Sequence, residues 1–266
     1  MRLKPEKSYR FSNFLGLLTL IVREQRRFTS IWTQTLLAPI VTSALFIVVF
    51  SFVFFDRNGG SLSNSNYSLF LAPGILMMVT IQNSFANTSS SLVISKVQGN
   101  IIDLLMPPLG PGELLFGLAA AGMTRGLCVG IVTAVTLVSL KGHSPPVYPL
   151  IALVYLLLGS LAFSFVGILA GIWANKFDEM AAITNFIVQP LTFLSGTFYS
   201  INRLPAPFDI VAGLNPIFYA IDGFRYGMIG LADRPLLTGF LCLCGVNLAL
   251  GVLCYRALSS GFRLKS

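Results

Sequence analysis

The residues able to do chemistry are few and scattered. His143 is the sole histidine, and it stands beside Ser144, Pro145 and Pro146 in a short loop, a poor setting for a Ser/His nucleophile pair. With one histidine, and with Asp and Glu forming no cluster inside any apolar run, neither a metal site nor a carboxylate proton relay is indicated. Cys128, Cys242, Cys244 and Cys254 all lie within apolar runs, where cysteine acts as a small hydrophobic side chain rather than as a disulfide framework or thiolate ligand. A phosphate-cradling Walker loop requires Gly-Lys, and that dipeptide does not occur. The expected picture is a chain with no catalytic residues, no metal and no cofactor of its own. What remains is polar groups set where hydrocarbon is expected. These are Arg125, the stretch containing Gln82, Asn83 and Asn87, and Asp222 with Arg225.

The elements that must hold those groups are membrane helices. Of 266 residues, 55% are apolar and 11% charged, against about 25% charged in soluble domains. The apolar residues come in runs long enough to cross about 30 Å of hydrocarbon. Six spans are expected: Leu36 to Phe55, Leu69 to Ile94, Leu114 to Leu140, Val147 to Asn175, Met180 to Ile201 and Pro235 to Tyr255. The stretch from Pro205 to Ala232 is apolar on average but contains Asp209, Asp222, Arg225 and Pro216, so short interfacial or re-entrant helices are expected there. The fold class is therefore all-α integral membrane, and residues 1–266 form one membrane domain. No short apolar core with a small-residue cleavage site is evident near Met1, so the first span is expected to act as an uncleaved start-transfer segment.

The net charge of +8 does not point to nucleic acid, because no basic face with interleaved aromatics occurs. It fits membrane topology instead. Arg2, Lys4, Lys7, Arg10, Arg23, Arg26 and Arg27 precede the first span, Lys96 and Lys176 fall in loops on the same side, and Arg256, Arg263 and Lys265 follow the last. Only Arg57, Lys141, Arg203, Arg225 and Arg234 fall on the other side, so both termini are expected in the cytoplasm.

Within residues 1–33, Phe11, Phe14, Leu15, Leu18, Ile21 and Val22 recur at helical spacing, with Asn13, Thr19, Arg23, Glu24, Arg26 and Arg27 opposite. That pattern predicts a helix lying in the membrane interface, either as a plain anchor or as a surface for a partner. After the second span, residues 95–113 carry a short amphipathic segment from Gly99 to Met106 and then Pro107, Pro108, Gly110, Pro111 and Gly112. This is either a simple chain reversal or a short helix held out for insertion into a partner's cleft. In residues 202–234, Asn215-Pro216 predicts a helix start, with Asp222 and Arg225 three apart on one face. They form either a local ion pair or part of a polar collar ringed by Phe218, Tyr219, Phe224 and Tyr226. Gly122, Gly126 and Gly130 repeat every four residues and Gly167 and Gly171 do likewise, which implies close helix contact within one subunit or across a dimer. Arg125 beside the first row is either paired or lines a polar path, and the polar half of the second span either lines that path or satisfies neighbouring helices.

Several stretches together resemble a type 2 ABC transporter permease. They are the run DLLMPP from Asp103 to Pro108, LSGTFYSINRLP from Leu194 to Pro205, and LNPIFYAIDGFRYG from Leu214 to Gly227, with the N-terminal amphipathic segment and the six spans. The resemblance implies a half-transporter that forms a homodimer in a bacterial inner membrane and pairs with two copies of a separate ABC ATPase subunit. ATP and Mg would reside on that partner. It implies a coupling helix at the ATPase surface over Gln98 to Pro108, including Gly99, Asn100, Ile101, Asp103, Leu104, Leu105 and Pro107. It also implies re-entrant helices at the outer mouth carrying Asn215, Pro216, Tyr219, Asp222 and Arg225. Compact outer loops make the chain similar to exporters of drugs, lipo-oligosaccharides and polysaccharides. The rival classes are a secondary transporter or channel, which would need an ion-coupling residue or charge ring, and an intramembrane enzyme.

Overall fold

A computed structural model of the chain describes residues 13–55, 63–105, 108–141, 146–201, 208–261 and 263. No strand occurs among them. The physical reason is the apolar composition: with no water to bond backbone groups, a crossing segment must satisfy them within itself.

Among the described residues, five helices are long and apolar enough to cross a membrane. They are α2 (Ala38–Phe55), entered through a π-helical turn at Thr33–Leu37, α3 (Ser63–Val97), α5 (Pro111–Lys141), α6 (Pro149–Trp173) and α11 (Leu236–Ser260). Shorter helices are α1 (Phe14–Thr29), α4 (Ile101–Leu105), α7 (Phe177–Ile183), α8 (Gln189–Phe193), α9 (Phe208–Leu214) and α10 (Pro216–Ile229).

The expected span from Met180 to Ile201 takes a different form. Helical backbone runs from Phe177 through a π-helical turn at Thr184–Val188 to Phe193, short of the roughly 20 residues a crossing needs. It then breaks into a turn where Gly196 takes a φ of +73°. Proline explains both π turns. Pro39 and Pro190 cannot donate to the carbonyl four residues back and their rings crowd it, so the helix widens in the turn immediately before each.

α3 is the axis of the molecule, and its neighbours α5 and α6 approach it on glycine. A Cβ on Gly122 would lie 2.6 Å from Thr88 Cγ2, one on Gly126 2.0 Å from Ser84 Oγ, and one on Gly130 2.3 Å from Thr80 Oγ1. From the other side, a Cβ on Gly167 would lie 2.1 Å from Thr88 Oγ1 and one on Gly171 2.8 Å from Leu92 Cβ. Both glycine rows therefore close on α3 of the same subunit.

α1 begins at Asn13, whose side chain accepts from the Gly16 amide at 3.0 Å. Phe14, Leu15 and Leu18 are exposed, as a helix lying on lipid requires, while Leu20 and Phe28 pack inward. The polar side departs from the sequence expectation, because Glu24 is fully buried rather than solvated. Glu113 clasps the helix from below, accepting from the Asn13 and Gly110 amides at 2.8 Å each.

Candidate functional site

Three polar stations follow one another along α3. Gly74 touches the first, Gln82 and Asn83 border the second, and Lys96 adjoins the third. At 1.5 Å per residue the first and last are about 33 Å apart, close to one hydrocarbon thickness.

The Gly74 station is a knot of buried polar groups. Arg225, 1% exposed, donates from Nη2 to the Gly196 carbonyl at 2.7 Å and lays its guanidinium 3.8 Å from the Phe70 ring centre. Asp222, 3% exposed, accepts from the amides of Asp233 at 2.8 Å and Arg234 at 3.1 Å. Asp233 in turn accepts from Ser200 Oγ and the Ile201 amide. Among the described residues Asp222 and Arg225 form no ion pair with one another; each fastens a different loop to α10. Burial pushes the Asp222 carboxyl above its ordinary range, with the two amides pulling the other way. Asn215 caps α10 by accepting from the Ile217 amide at 3.0 Å, and its own amide donates to the Leu191 carbonyl at 2.7 Å. Tyr219 packs its ring against Phe218. A side chain at Gly74 would strike the Thr197 carbonyl at 2.5 Å, so α3 and the 194–201 turn meet backbone to backbone.

The middle station is a cleft of about 580 Å³ bordered by α1, the π turn and α2, α3, α5, and the α7–α8 stretch. Its polar lining residues are Arg27, Gln34, Gln82, Asn83, Ser90, Arg125 and Gln189, and Phe28, Ile31, Phe46, Met78 and Phe193 are among its apolar ones. Arg27 reaches in from α1. It donates to the Asn87 carbonyl at 2.7 Å, Asn87 Oδ1 at 3.1 Å and Ser90 Oγ at 3.1 Å, and it pairs with Glu24 at 3.1 Å. Burial lowers the Arg27 pKa and Glu24 counters that. Arg125 is less well met: among the described residues its one hydrogen bond is to Asn83 Oδ1 at 3.5 Å, and its buried Nε finds no partner.

The polar half of α3 thus divides by face. Gln82, Asn83 and Ser90 border the cleft, whereas Thr80, Ser84, Thr88 and Ser89 are buried and meet the glycine rows, Ser89 through its carbonyl oxygen. Asn87 holds Arg27 and does not border the cleft.

The third station is the ledge around α4. Lys96 donates to the Ile172 and Ala174 carbonyls, tying the end of α3 to that of α6. Gly99 turns the chain with a φ of +74°, which favours glycine. Val97, Gln98, Asn100, Ile102, Asp103 and Pro108 are exposed, while Ile101 is buried in a cluster with Leu20, Leu92, Leu114 and Ile172. Leu104 and Leu105 complete the helix, and Pro107 lies outside the described residues.

Sequence reasoning singled out Arg125, Gln82 and Asn83 but missed Arg27, Gln34 and Gln189 in the cleft, and Asp233, Ser200 and Phe70 in the knot. For Arg27 the available signal was Glu24 three residues before it, a helical ion-pair spacing. For the others only proximity in space unites them.

The chain is similar in sequence to known transport proteins over most of its length. A profile of the ABC-2 type transporter family matches residues 16–229. The inner membrane transport permease YadH of Escherichia coli K12 is 37% identical over 95% of this chain and 98% of its own length. Nodulation protein J of Rhizobium leguminosarum bv. viciae is 26% identical over 80% of this chain and 84% of its own. The putative transport permease ycf38 of Porphyra purpurea is 25% identical over 76% and 71%. With its apolar helices and a family match over most of its length, the chain is a multi-pass membrane protein that belongs to the ABC-2 type transporter family.

Proposed function

We propose that this chain is the membrane-embedded subunit of an ATP-driven exporter. Two copies form the translocation path for an amphipathic substrate, and two copies of a separate ABC ATPase, holding ATP and Mg, supply the work. The observation that carries the reading is the α4 ledge. An exposed edge of Val97, Gln98, Ile102 and Asp103 stands on the buried foot of Ile101, which packs among residues of α1, α3, α5 and α6. A force applied to that edge is delivered into the helices bordering the cleft. Family membership and the inner-membrane permease relative support the same reading.

Its finer parts follow from it. The ledge is cytoplasmic, as are both termini and α1; the Asp222–Arg225 knot is at the outer mouth; and α7 with α8 and the following turn serves as the sixth crossing. The membrane is a bacterial inner membrane. Substrate passes by alternating access, with the cleft as the path on one side and the knot as the closure on the other.

The test uses the permease co-expressed with its cognate ATPase. An exposed apolar residue at the centre of a docking surface contributes 2 kcal/mol or more, about thirtyfold in affinity. Ile102→Glu and Asp103→Arg are therefore expected to abolish co-purification of the ATPase and coupled transport while membrane insertion is normal. Unchanged transport in both variants, or transport by the purified permease without any ATPase, overturns the reading.

A further inference from the structure

We propose that the cleft beside α3 is a receptor for an anionic amphiphile, a phosphate-type headgroup joined to an apolar chain, with Arg125 and Arg27 binding the headgroup. This deepens the exporter reading and rests on it for the identification of that ligand as cargo.

Arg27 and Arg125 share one cleft, and like charges in a low-dielectric setting repel. Glu24 compensates Arg27, but among the described residues no carboxylate forms an ion pair with Arg125, and no Asp or Glu borders the cleft at all. A guanidinium offers five donors in a planar fork. Arg125 uses one, weakly, at 3.5 Å, and leaves a buried Nε unmet. Two oxygens of one tetrahedral oxyanion match such a fork and supply the missing acceptors and the missing charge together. Gln34, Gln82 and Gln189 add neutral donors to the lining.

The apolar lining selects what the anion is attached to. Phe28, Ile31, Phe46, Met78 and Phe193 form an apolar surface against which a hydrocarbon chain gains by burial. Ile31, Gln34, Gln189 and Phe193 are themselves exposed, so the cleft is open at its rim and a chain can extend beyond it. The volume of about 580 Å³ suits a headgroup and the first part of a chain. A cationic amphiphile finds two arginines and no carboxylate, so the cleft discriminates against it.

The experiment uses the full chain in nanodiscs of zwitterionic lipid, titrated by calorimetry with octyl phosphate, inorganic phosphate and octyltrimethylammonium, with empty discs subtracted. Saturable binding of octyl phosphate is expected, with inorganic phosphate at least about tenfold weaker for want of the chain and the cation not binding. Arg125→Gln is expected to weaken octyl phosphate about tenfold or more, the usual scale for a charged hydrogen bond. Gln82→Glu, which adds the missing negative charge to the wall, is expected to do the same, and Arg125→Lys to retain part of the affinity. Co-purification of the ATPase by each variant verifies its fold. Equal affinities for wild type and both Arg125→Gln and Gln82→Glu overturn the proposal. Binding of the cation as tight as that of octyl phosphate, or of inorganic phosphate as tight, overturns it too. Failure of wild-type chain to bind octyl phosphate while still holding its ATPase overturns this proposal and leaves the exporter reading standing, whereas failure to hold the ATPase overturns the exporter reading.

Discussion

Replacing Gly126 by alanine tests how closely α5 approaches α3. A Cβ there would lie 2.0 Å from Ser84 Oγ and 2.7 Å from the Thr80 carbonyl oxygen. The hydroxyl can rotate away, but the carbonyl belongs to the backbone of a buried helix, so the two helices must separate. Overpacking of this kind costs about 1–3 kcal/mol, while alanine recovers up to about 1 kcal/mol of helix propensity over glycine. The net expectation is a loss of about 1–2 kcal/mol, roughly 2–8 °C in Tm for a chain of this size. Gly245→Ala on α11 is the internal control, since a Cβ there meets nothing within 4 Å and only the propensity gain applies. Adding Ser84→Ala to Gly126→Ala removes the nearer obstacle and should restore part of the loss, a coupling of about 0.5–1 kcal/mol. Thermal unfolding in detergent, read by tryptophan fluorescence, measures all five proteins: wild type, Gly126→Ala, Ser84→Ala, their double variant and Gly245→Ala. Because Arg125 is adjacent to Gly126, the shift also draws the guanidinium away from Asn83. Equal or greater stability for Gly126→Ala, with no coupling to Ser84→Ala, would refute the glycine-seam argument.

Other expectations concern the two ends of α3. Asp222→Asn leaves one carbonyl oxygen where a carboxylate now accepts from both the Asp233 and Arg234 amides, and a stability loss of about 1.5–3 kcal/mol is expected at neutral pH. The sign of the pH effect follows from burial: the Asp222 carboxyl is raised in the folded state, so its contribution favours folding below the ordinary carboxylate range and declines as pH rises toward the raised value. A Tm series from pH 4 to 7 should therefore show less decline with pH in Asp222→Asn than in wild type, and identical slopes would count against this assignment. Glu113→Gln weakens the two 2.8 Å bonds that fasten Asn13 and Gly110. Hydrogen exchange should quicken over the first turns of α1 while α5 and α6 keep their protection.

Legibility varied with how local the cause was. The start of α10 was readable at Asn215-Pro216, because a cap and a first-turn proline act within three residues. Both glycine rows were readable as contact faces, yet their partner was not, since spacing alone does not say which helix fills a groove. Asp222 and Arg225 at helical spacing invited an ion pair, but each found a backbone partner in a different loop, the 194–201 turn for one and the turn after α10 for the other. The span expected from Met180 to Ile201 was misjudged in length, because mean hydropathy ignores the widening that Pro190 imposes and the break at Gly196.

By itself the sequence left the loop between the second and third crossings open as a chain reversal or a short helix, but determined that this chain is built of membrane helices and where its five long apolar segments lie. Each of those follows from local composition meeting a fixed hydrocarbon thickness. Tertiary structure alone decided that Arg27, on the nominally solvated side of a surface helix, turns inward to share a cleft with Arg125 almost a hundred residues away. It also decided that α3 gives one polar face to packing and another to that cleft. A one-dimensional pattern records how polar a residue is, and only the placement of its neighbours determines whether that polarity meets backbone, water or a ligand.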